Sequence, residues 1–472
     1  MNQDNSPAHK QTNQVERNIE GIHKPPKNWR QRLSWLGPGI TWMAAGAGGA
    51  GELLFPPRVG SLYGYAFFWA IVAAVALKWF INHEIGRFST CTGDTLLDGF
   101  KKVPRPKNWA VWLIVLPQLF VAVGAIAGLS GSAATALILV FPGDNRLWMT
   151  VILLTTMVFL LWGKYKKLEQ VASFLAIALA LAAIVTAITV FPNISALAAG
   201  LVPQLPANTN YAEIVPWLSF VLAGAAGMTW YSYWIAEKGY GAAEYAREIG
   251  EAVNPREMST QERQGLRGWL SIMTLDLTLG VIGGLLIVMA FLILGTELLR
   301  PQGLVPAENR VAEVLGSLLG DVWGPIGYWF MIVAVFTGFW QTVLTNQDGW
   351  ARLFADGTNI ILQPFNLHNR WTNEEFLRKA YIVGLLTVVP IALYWIVGEP
   401  VGLLQITGII EAAHIPFIAW LTLYINYRRL PNGLRPSKFN LTATAIAGLF
   451  FAVFAITYFL QLIGILGGDS SS

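Results

Sequence analysis

The sequence predicts an all-α integral membrane protein of eleven spanning helices, arranged as two inverted repeats of five helices plus one extra helix. Three observations predict this fold class: the composition, the spacing of the apolar segments, and the distribution of Lys and Arg. Of the 472 residues, 54% are hydrophobic and 13% are charged, whereas soluble domains carry about 25% charged residues. The composition therefore excludes an ordinary soluble protein and requires the lipid bilayer as a partner.

Apolar segments of about 20 residues, the length that crosses a bilayer, occur eleven times. The third segment could also split at Gly128 to Gly131, and the fourth and fifth could merge, although the charged patch at residues 164–169 opposes a merger. The predicted spans are residues 37–56, 65–86, 110–141, 147–163, 168–192, 214–236, 268–295, 322–346, 379–397, 402–426 and 441–466.

The loops predict the orientation, because Lys and Arg accumulate on the cytoplasmic side. Residues 193–213, 398–402 and 467–472 contain neither residue type, whereas the alternate loops are basic. The N-terminus is therefore predicted to be cytoplasmic and the C-terminus external, in a plasma membrane or a bacterial inner membrane. The basic loops include Lys101, Lys102, Arg105 and Lys107, Lys238 and Arg247, Arg352 and Arg378, and Arg428 and Arg429.

The termini and the single cysteine limit the domain organisation. Residues 1–35 are polar, basic and without the apolar core of a signal peptide, so they are expected to form a disordered cytoplasmic tail. A transmembrane domain, residues 36–466, and a short external tail, residues 467–472, follow. Cys91 alone allows neither an intramolecular disulfide nor a multi-cysteine metal site. No enzyme motif occupies a convincing position, so neither catalysis nor a cofactor is expected, nor are nucleic acid or an obligatory protein partner.

The first span is broken by glycines. Residues 37–58 read GPGITWMAAGAGGAGELLFPPR, and each glycine weakens a helix by about 1 kcal/mol. Unwound backbone at membrane depth is tolerated beside a protein-lined cavity, and secondary transporters build their substrate sites from such broken helices. Gly46, Gly48, Gly49 and Gly51 therefore predict an interrupted helix in a transporter.

The break has a predicted counterpart. Five spans per repeat is an odd number, so the second repeat must run with inverted topology and its first helix, span six, should be interrupted as well. Gly224 and Gly227 fall inside span six. The repeats are therefore assigned to residues 37–192 and 214–426, and residues 441–466 form the extra helix.

Several polar side chains fall at membrane depth, where a charged group costs about 2.5–3.5 kcal/mol on insertion scales and is a functional candidate. Glu52, in the broken first span, is the first candidate. Glu411 and His414 lie three residues apart on one helical face and form either a proton-relay pair or a structural hydrogen bond. His83 and Glu84 are expected to be solvated or interfacial. The other candidates for lining an ion path are Trp230, Asp276, Gln341 and Asn346.

The order of short motifs resembles the Nramp family of divalent-metal transporters from Gly37 to about Tyr427. This resemblance implies a LeuT-type fold of two inverted five-helix repeats, with spans one and six interrupted, and transport by alternating access. The matching segments are Gly37-Pro38-Gly39, Tyr63-Gly64-Tyr65, Thr92-Gly93-Asp94, Ala225-x-x-Met228, residues 338–349 and Ile415-Pro416-Phe417.

The departures from the family pattern bear on the cargo. Where typical members have Asp-Pro-Gly-Asn, this chain has Gly49-Ala50-Gly51-Glu52, and Met228-Thr229-Trp230 replaces Met-Pro-His. An acidic pair associated with proton movement aligns with Ala125 and Gly128. The chain therefore resembles the magnesium-transporting relatives of the family, with weak or absent proton coupling.

The remaining oxygen atoms suit a hard divalent cation, Mg²⁺, Ca²⁺ or Mn²⁺, and Mg²⁺ or Mn²⁺ is the predicted cargo. The predicted ligands are the Glu52 carboxylate, carbonyls freed near Gly49 and Ala225, and the Thr229 hydroxyl. The Met228 thioether would favour a transition metal or would only fill space.

Two other functions are compatible with the sequence. An amine or amino acid is one alternative cargo, because aromatic faces beside Glu52 attract an organic cation. A non-transporting sensor on the same fold is the other, although no signalling domain is appended. The aromatic residues are Trp230, Tyr231, Tyr233 and Trp234.

Overall fold

The computed structural model describes residues 24–41, 49–163, 166–249, 251–363 and 373–465. Within these ranges the chain is helical, without a strand. The helices are α1 (Trp29–Trp35), α2 (Phe55–Tyr63), α3 (Phe68–Thr92), α4 (Leu96–Lys101), α5 (Trp109–Leu137), α6 (Asn145–Trp162), α7 (Lys166–Thr189), α8 (Ile194–Ala199), α9 (Tyr211–Phe220), α10 (Ala225–Lys238), α11 (Ala242–Ile249), α12 (Thr260–Leu294), α13 (Val311–Leu362), α14 (Glu374–Val383), α15 (Val389–Val397), α16 (Pro400–Arg429) and α17 (Lys438–Leu462). The π-helical turns Ala50–Leu54, Gly295–Leu299 and Gly384–Val388 precede α2, extend α12 and join α14 to α15.

The predicted fold class is confirmed, and the protein is an integral membrane protein. Nine helical segments in the described part of the chain are long and apolar enough to cross a bilayer, and they correspond to nine of the predicted spans. The first and fifth spans are the other two. In the first span, residues 42–48, which include Gly46 and Gly48, lie outside the described residues. In the fifth span, the apolar helix Ser173–Thr189 is shorter than the nine segments that are long enough to cross a bilayer. The total of eleven spans stays a prediction.

The two alternative segmentations are wrong. Helix α5 is continuous through Gly128 and Gly131, so the third segment does not split. Helix α6 ends at Trp162, where Gly163 takes a positive φ of 66° that suits glycine. The fourth and fifth spans are therefore separate helices.

Other boundaries differ from the prediction. Residues 29–35 of the predicted disordered tail form α1, whereas residues 1–23 and the tail 467–472 lie outside the described residues. Helix α13 extends well beyond residues 322–346 in both directions and is interrupted at Gly324, which has a φ of 68°.

Helix α3 continues to Thr92, past the predicted end of span two, and the expectation of a solvated Glu84 is wrong. Glu84 is fully buried and accepts hydrogen bonds from Arg87 Nε at 2.9 Å and Asn426 Nδ2 at 3.0 Å. His83 is also buried, with its Nε2 3.1 Å from the Thr274 hydroxyl. Arg87 of the same helix and residues of neighbouring helices satisfy these groups, which is how polar residues are retained inside a protein.

The predicted interruption of span six is confirmed. Helix α9 ends at Phe220 and α10 begins at Ala225, with a non-helical segment between them. In the first span, Gly49 is extended, with φ −86° and ψ 176°, immediately before the turn Ala50–Leu54. A Cβ on Gly51 would lie 2.6 Å from the Phe220 carbonyl group, so only glycine permits this approach of the two broken spans.

The broken spans occupy the centre of the bundle. The turn Ala50–Leu54 packs against α9 and α12, and α10 packs against α3, α13 and α16. Large apolar side chains cover the outside of the bundle: Phe174 is 70% exposed and Ile396 is 80% exposed. Apolar exposure on this scale suits a lipid-facing surface, so the polar groups described next lie inside a lipid-embedded bundle.

Candidate functional site

The interruption of span six is built from non-glycine residues in an unusual backbone conformation. Leu222 has a φ of 62° and Ala223 a φ of 138°, and such residues cost about 1–3 kcal/mol where the surroundings hold them in place. The carbonyl groups of this segment have left the helical pattern and need other partners. The surrounding side chains supply them.

Lys78 of α3 supplies the donors. Its side chain is fully buried, and Nζ donates to the carbonyl oxygens of Ser219 at 2.6 Å, Val221 at 2.6 Å and Ala223 at 2.9 Å. An ammonium group has three donor hydrogens, so these contacts use all of them. The charged groups that act on this ammonium are the Glu52 and Glu411 carboxylates.

Glu52 joins the two broken spans. It lies in the π-helical turn and is 2% exposed. Its Oε1 accepts a hydrogen bond of 2.5 Å from the backbone N–H of Leu222. The carboxylate thus holds Leu222, one of the two residues with positive φ, and also lines a cavity between the spans.

Glu411 of α16 caps the second half of span six. It is 1% exposed, and its Oε2 accepts a hydrogen bond from the backbone N–H of Ala225, the first residue of α10. A carboxylate at a helix N-terminus is stabilised by the unpaired N–H groups there. A Cβ on Gly224 would lie 2.7 Å from Glu411 Cδ, so glycine is required for this close approach.

Gln118 of α5 connects Glu411 with His414. Its Nε2 lies 3.3 Å from Glu411 Oε1 and 3.0 Å from His414 Nδ1. Its Oε1 accepts a hydrogen bond of 2.9 Å from Trp350 Nε1. The predicted carboxylate–histidine pair is therefore bridged by an amide side chain.

A cavity of about 80 Å³ lies where the broken spans meet. Residues Gly49–Glu52 of the first span line it together with Ala223, Gly224, Ala226 and Gly227 of the sixth, and Glu52 and Glu411 are its carboxylates. The predicted ligand Ala225 is not part of the lining. A water molecule needs about 10–15 Å³ in this measure, so the cavity has room for a small ion with several waters. The remaining lining residues are Ala125, Leu129, Phe220, Trp230, Trp234, Thr342, Asn346, Trp350 and Leu404.

A larger vestibule of about 770 Å³ adjoins this cavity. Trp230 and Trp234 line both spaces, and Lys238 and Arg352 lie in the vestibule wall. Both basic residues belong to the side that the charge distribution predicts to be cytoplasmic. The site thus borders an open space on one side.

The other predicted ligands lie away from the cavity lining. Met228 and Thr229 are buried, but neither lines the cavity. The Thr229 hydroxyl donates to the Ala225 carbonyl at 3.1 Å. The Ala225 carbonyl itself is thus engaged within α10, and the freed carbonyls of the break, just before Ala225, are those that Lys78 contacts.

Asp276 and Gln341 make structural hydrogen bonds. Asp276 is fully buried and accepts from the N–H of Gly37 at 3.0 Å and of Gly39 at 2.6 Å. It thus caps the start of the first span. Gln341 Nε2 donates to the Ser173 hydroxyl at 3.0 Å. Of the predicted path residues, Trp230, Asn346 and Glu411 line the cavity, and Asp276, Gln341 and His414 do not.

The aromatic residues of span six divide between two environments. Trp230 and Trp234 line the cavity, whereas Tyr233 lines the vestibule and donates to Asp356 Oδ2 at 2.6 Å. Trp230 packs edge-on against Trp350, with ring centroids 5.3 Å apart. The four aromatic residues therefore do not form one cage around Glu52.

Sequence reasoning missed Lys78 and Gln118. Both were visible as polar residues in apolar spans, which is a functional signal, but their roles depend on which helix lies opposite. Across the described ranges, no group of three or more His, Cys, Asp and Glu side chains is arranged to hold a metal ion. The two cavity carboxylates would therefore bind a cation together with backbone oxygens or water.

Comparisons with known proteins agree with this architecture. Residues 41–461 match the family model Nramp, described as natural resistance-associated macrophage protein-like. An uncharacterized protein of Pasteurella multocida (strain Pm70) is 25% identical over 402 residues, which cover 84% of this chain and 85% of that protein.

Solved structures show a similar fold. The manganese transporter of Eremococcus coleocola, in a mutant form, has a TM-score of 0.64 and 14% identity, over 96% of this chain and 92% of that chain. Its complex with an aromatic bis-isothiourea substituted compound has the same TM-score and identity, over 97% and 92%. At this identity the likeness shows the fold alone.

Proposed function

The chain belongs to the Nramp family, and from this premise we propose that it is a secondary transporter that moves a divalent cation, Mg²⁺ or Mn²⁺, by alternating access. One observation carries the proposal: Glu52 and Glu411, both buried, line one cavity at the interrupted spans. When both are ionised, they outnumber the single Lys78 ammonium beside them. An excess of negative charge in a low-dielectric cavity attracts a cation.

The size of the cavity supports an ion rather than an organic solute. Pockets for organic ligands usually measure about 300–1,000 Å³, whereas this cavity measures about 80 Å³. The division of the aromatic residues between cavity and vestibule also weakens the case for a cage around an amine. An ion that keeps part of its water shell fits the available space.

The oxygen-rich lining favours Mg²⁺ or Mn²⁺. Mg²⁺ keeps several waters and is usually bound through one or two carboxylates, which is the number that the cavity offers. Met228 does not line the cavity, so its thioether gives no support for a soft-metal site in this conformation. We also expect weak or absent proton coupling, because Ala125 lines the cavity where typical members carry an acidic residue.

We infer a cytoplasmic N-terminus and an external C-terminus. The vestibule wall contains Lys238 and Arg352, and such residues accumulate on the cytoplasmic side. A protease site inserted into residues 1–23 should be cut in inside-out vesicles and protected in right-side-out vesicles. The reverse pattern would overturn the orientation.

Uptake into proteoliposomes tests the proposed cargo. The native protein should show saturable uptake of Mg²⁺ or Mn²⁺, with little change when a pH gradient is imposed. Glu52→Gln should lower uptake about 10- to 100-fold, since a charged contact contributes about 1.5–3 kcal/mol and 1.4 kcal/mol corresponds to tenfold.

Met228→Leu is the matched control, because it conserves volume in a buried residue of span six. It should retain uptake and ion preference. If Met228→Leu lost uptake and Glu52→Gln retained it, the carboxylate site would be wrong and the Met228 thioether would be the cation ligand. Absence of Mg²⁺, Mn²⁺ and Ca²⁺ flux above empty liposomes would overturn the cation proposal and favour amines or amino acids as cargo.

A further inference from the structure

The Lys78 ammonium is coordinated as a bound cation would be. Three carbonyl oxygens, those of Ser219, Val221 and Ala223, surround Nζ at 2.6–2.9 Å. The ring of Phe451 lies on another side, 5.5 Å from Nζ to its centroid, within the range of a cation–π contact. The ammonium is therefore enclosed by oxygen atoms and an aromatic face and is buried completely.

The position of this group in the fold indicates what it replaces. Unwound carbonyls and the C-terminal end of a half-helix coordinate a coupling cation such as Na⁺ in secondary transporters with broken helices. Here the three carbonyls belong to the C-terminal end of α9 and to the break that follows it. The negative end of the α9 dipole adds to their attraction for a positive charge.

We propose that Lys78 is a tethered monovalent cation, which permanently occupies the carbonyl site created by the interruption of span six. A dissociable alkali cation is then unnecessary at this site, and removal of the ammonium turns it into an alkali-cation site. This inference goes beyond the proposed cargo, because it concerns a second cation position, at the carbonyls of the break, and Lys78 is not among the residues that line the cavity.

The three carbonyls need a positive partner whether or not Lys78 is present. In Lys78→Met, they would remain buried and unpaired, which destabilises the folded protein. A Na⁺ or K⁺ ion bound there restores their coordination. Because the ion binds the folded state, the protein becomes more stable as the ion concentration rises.

Thermal unfolding of the purified full-length protein tests the proposal. NaCl or KCl replaces choline chloride at constant ionic strength, with no cargo ion present. The melting temperature of Lys78→Met should rise by several degrees and saturate with one of the two alkali ions. The native protein should show no such rise, since its ammonium already fills the site.

Lys102→Met is the matched control. It also removes a lysine side chain, but one that is 36% exposed and forms an ion pair with Asp94. The melting temperature of this variant should be the same in all three salts. The Lys78→Gln amide can donate hydrogen bonds to the carbonyls. This variant should therefore reach a given melting temperature at a lower alkali-ion concentration than Lys78→Met.

Three results would overturn the proposal. They are equal melting of Lys78→Met in all salts, failure of both Lys78 variants to fold even in high NaCl or KCl, and a saturable alkali-ion stabilisation of the native protein. None of these results depends on cargo flux. Failure of the tethered-cation proposal can therefore be distinguished from failure of the cation-transport proposal. As a consequence for transport, uptake by the native protein should be equal in NaCl and choline chloride.

Discussion

Replacing Glu411 with Gln should reduce cation uptake by about 100-fold while leaving a folded protein, because a contact with a charged group contributes up to about 3 kcal/mol and 1.4 kcal/mol corresponds to tenfold. The substitution removes one of the two negative charges that face the cavity. Both Glu411 oxygens accept hydrogen bonds, one from the Ala225 N–H and one from Gln118 Nε2. In the variant, the new NH₂ group would therefore face a hydrogen-bond donor and lose one of these contacts. Uptake in proteoliposomes and melting temperature should be measured together.

Asp276→Asn is the control for this experiment, because it makes the same chemical change in a fully buried carboxylate that lies outside the cavity lining. Asp276 accepts from Gly37 and Gly39, so its substitution should lower the melting temperature, at a cost of about 1–3 kcal/mol. The concentration that gives half-maximal uptake should stay unchanged. Equal loss of uptake in both variants would mean that Glu411 acts through folding rather than through the cation.

The two carboxylates that line the cavity could be singled out from the sequence. A charged residue in an apolar span is costly, so Glu52 and Glu411 were identifiable without a structure. The inverted-repeat argument located the interruption of span six. The exact position differed, since Gly227 is helical and Leu222 and Ala223 hold the positive φ values. Those two values depend on hydrogen bonds from other helices, which no local pattern encodes.

Two other features depended on geometry that a sequence does not contain. Adjacent helical residues point about 100° apart, because a turn has 3.6 residues. The rotation of α10 therefore decides that Gly227 and Trp230 line the cavity while Met228 and Thr229 do not. Lys78 lies in span two, and its role appears only when α3 is placed beside the broken span.

The ion pair between Arg58 and Glu213 should contribute strongly to the stability of the end of the protein that is predicted to be external. Arg58 on α2 and Glu213 on α9 join the first and sixth spans through two contacts of 2.6 Å, and Arg58 Nη1 donates to the Pro306 carbonyl at 2.6 Å. Their side chains are only 13% and 9% exposed. Removing one partner of such a pair costs about 3–5 kcal/mol, because the other charge stays buried.

Arg58→Met and Glu213→Leu should therefore each lower the melting temperature markedly, whereas the double variant should recover much of the loss. The matched control is the pair of Arg310 and Glu313, with side chains 63% and 45% exposed, where the same substitutions should cause little change.

Recovery in the double variant would show that the cost of each single substitution is an uncompensated charge rather than lost packing, since independent losses add. Additive losses at Arg58 and Glu213 would contradict this account. In the proposed alternating-access cycle, the outer halves of spans one and six either separate or move together. A strong coupling energy between the two residues would favour movement of α2 and α9 as one unit, because separating them would break the pair in every transport cycle.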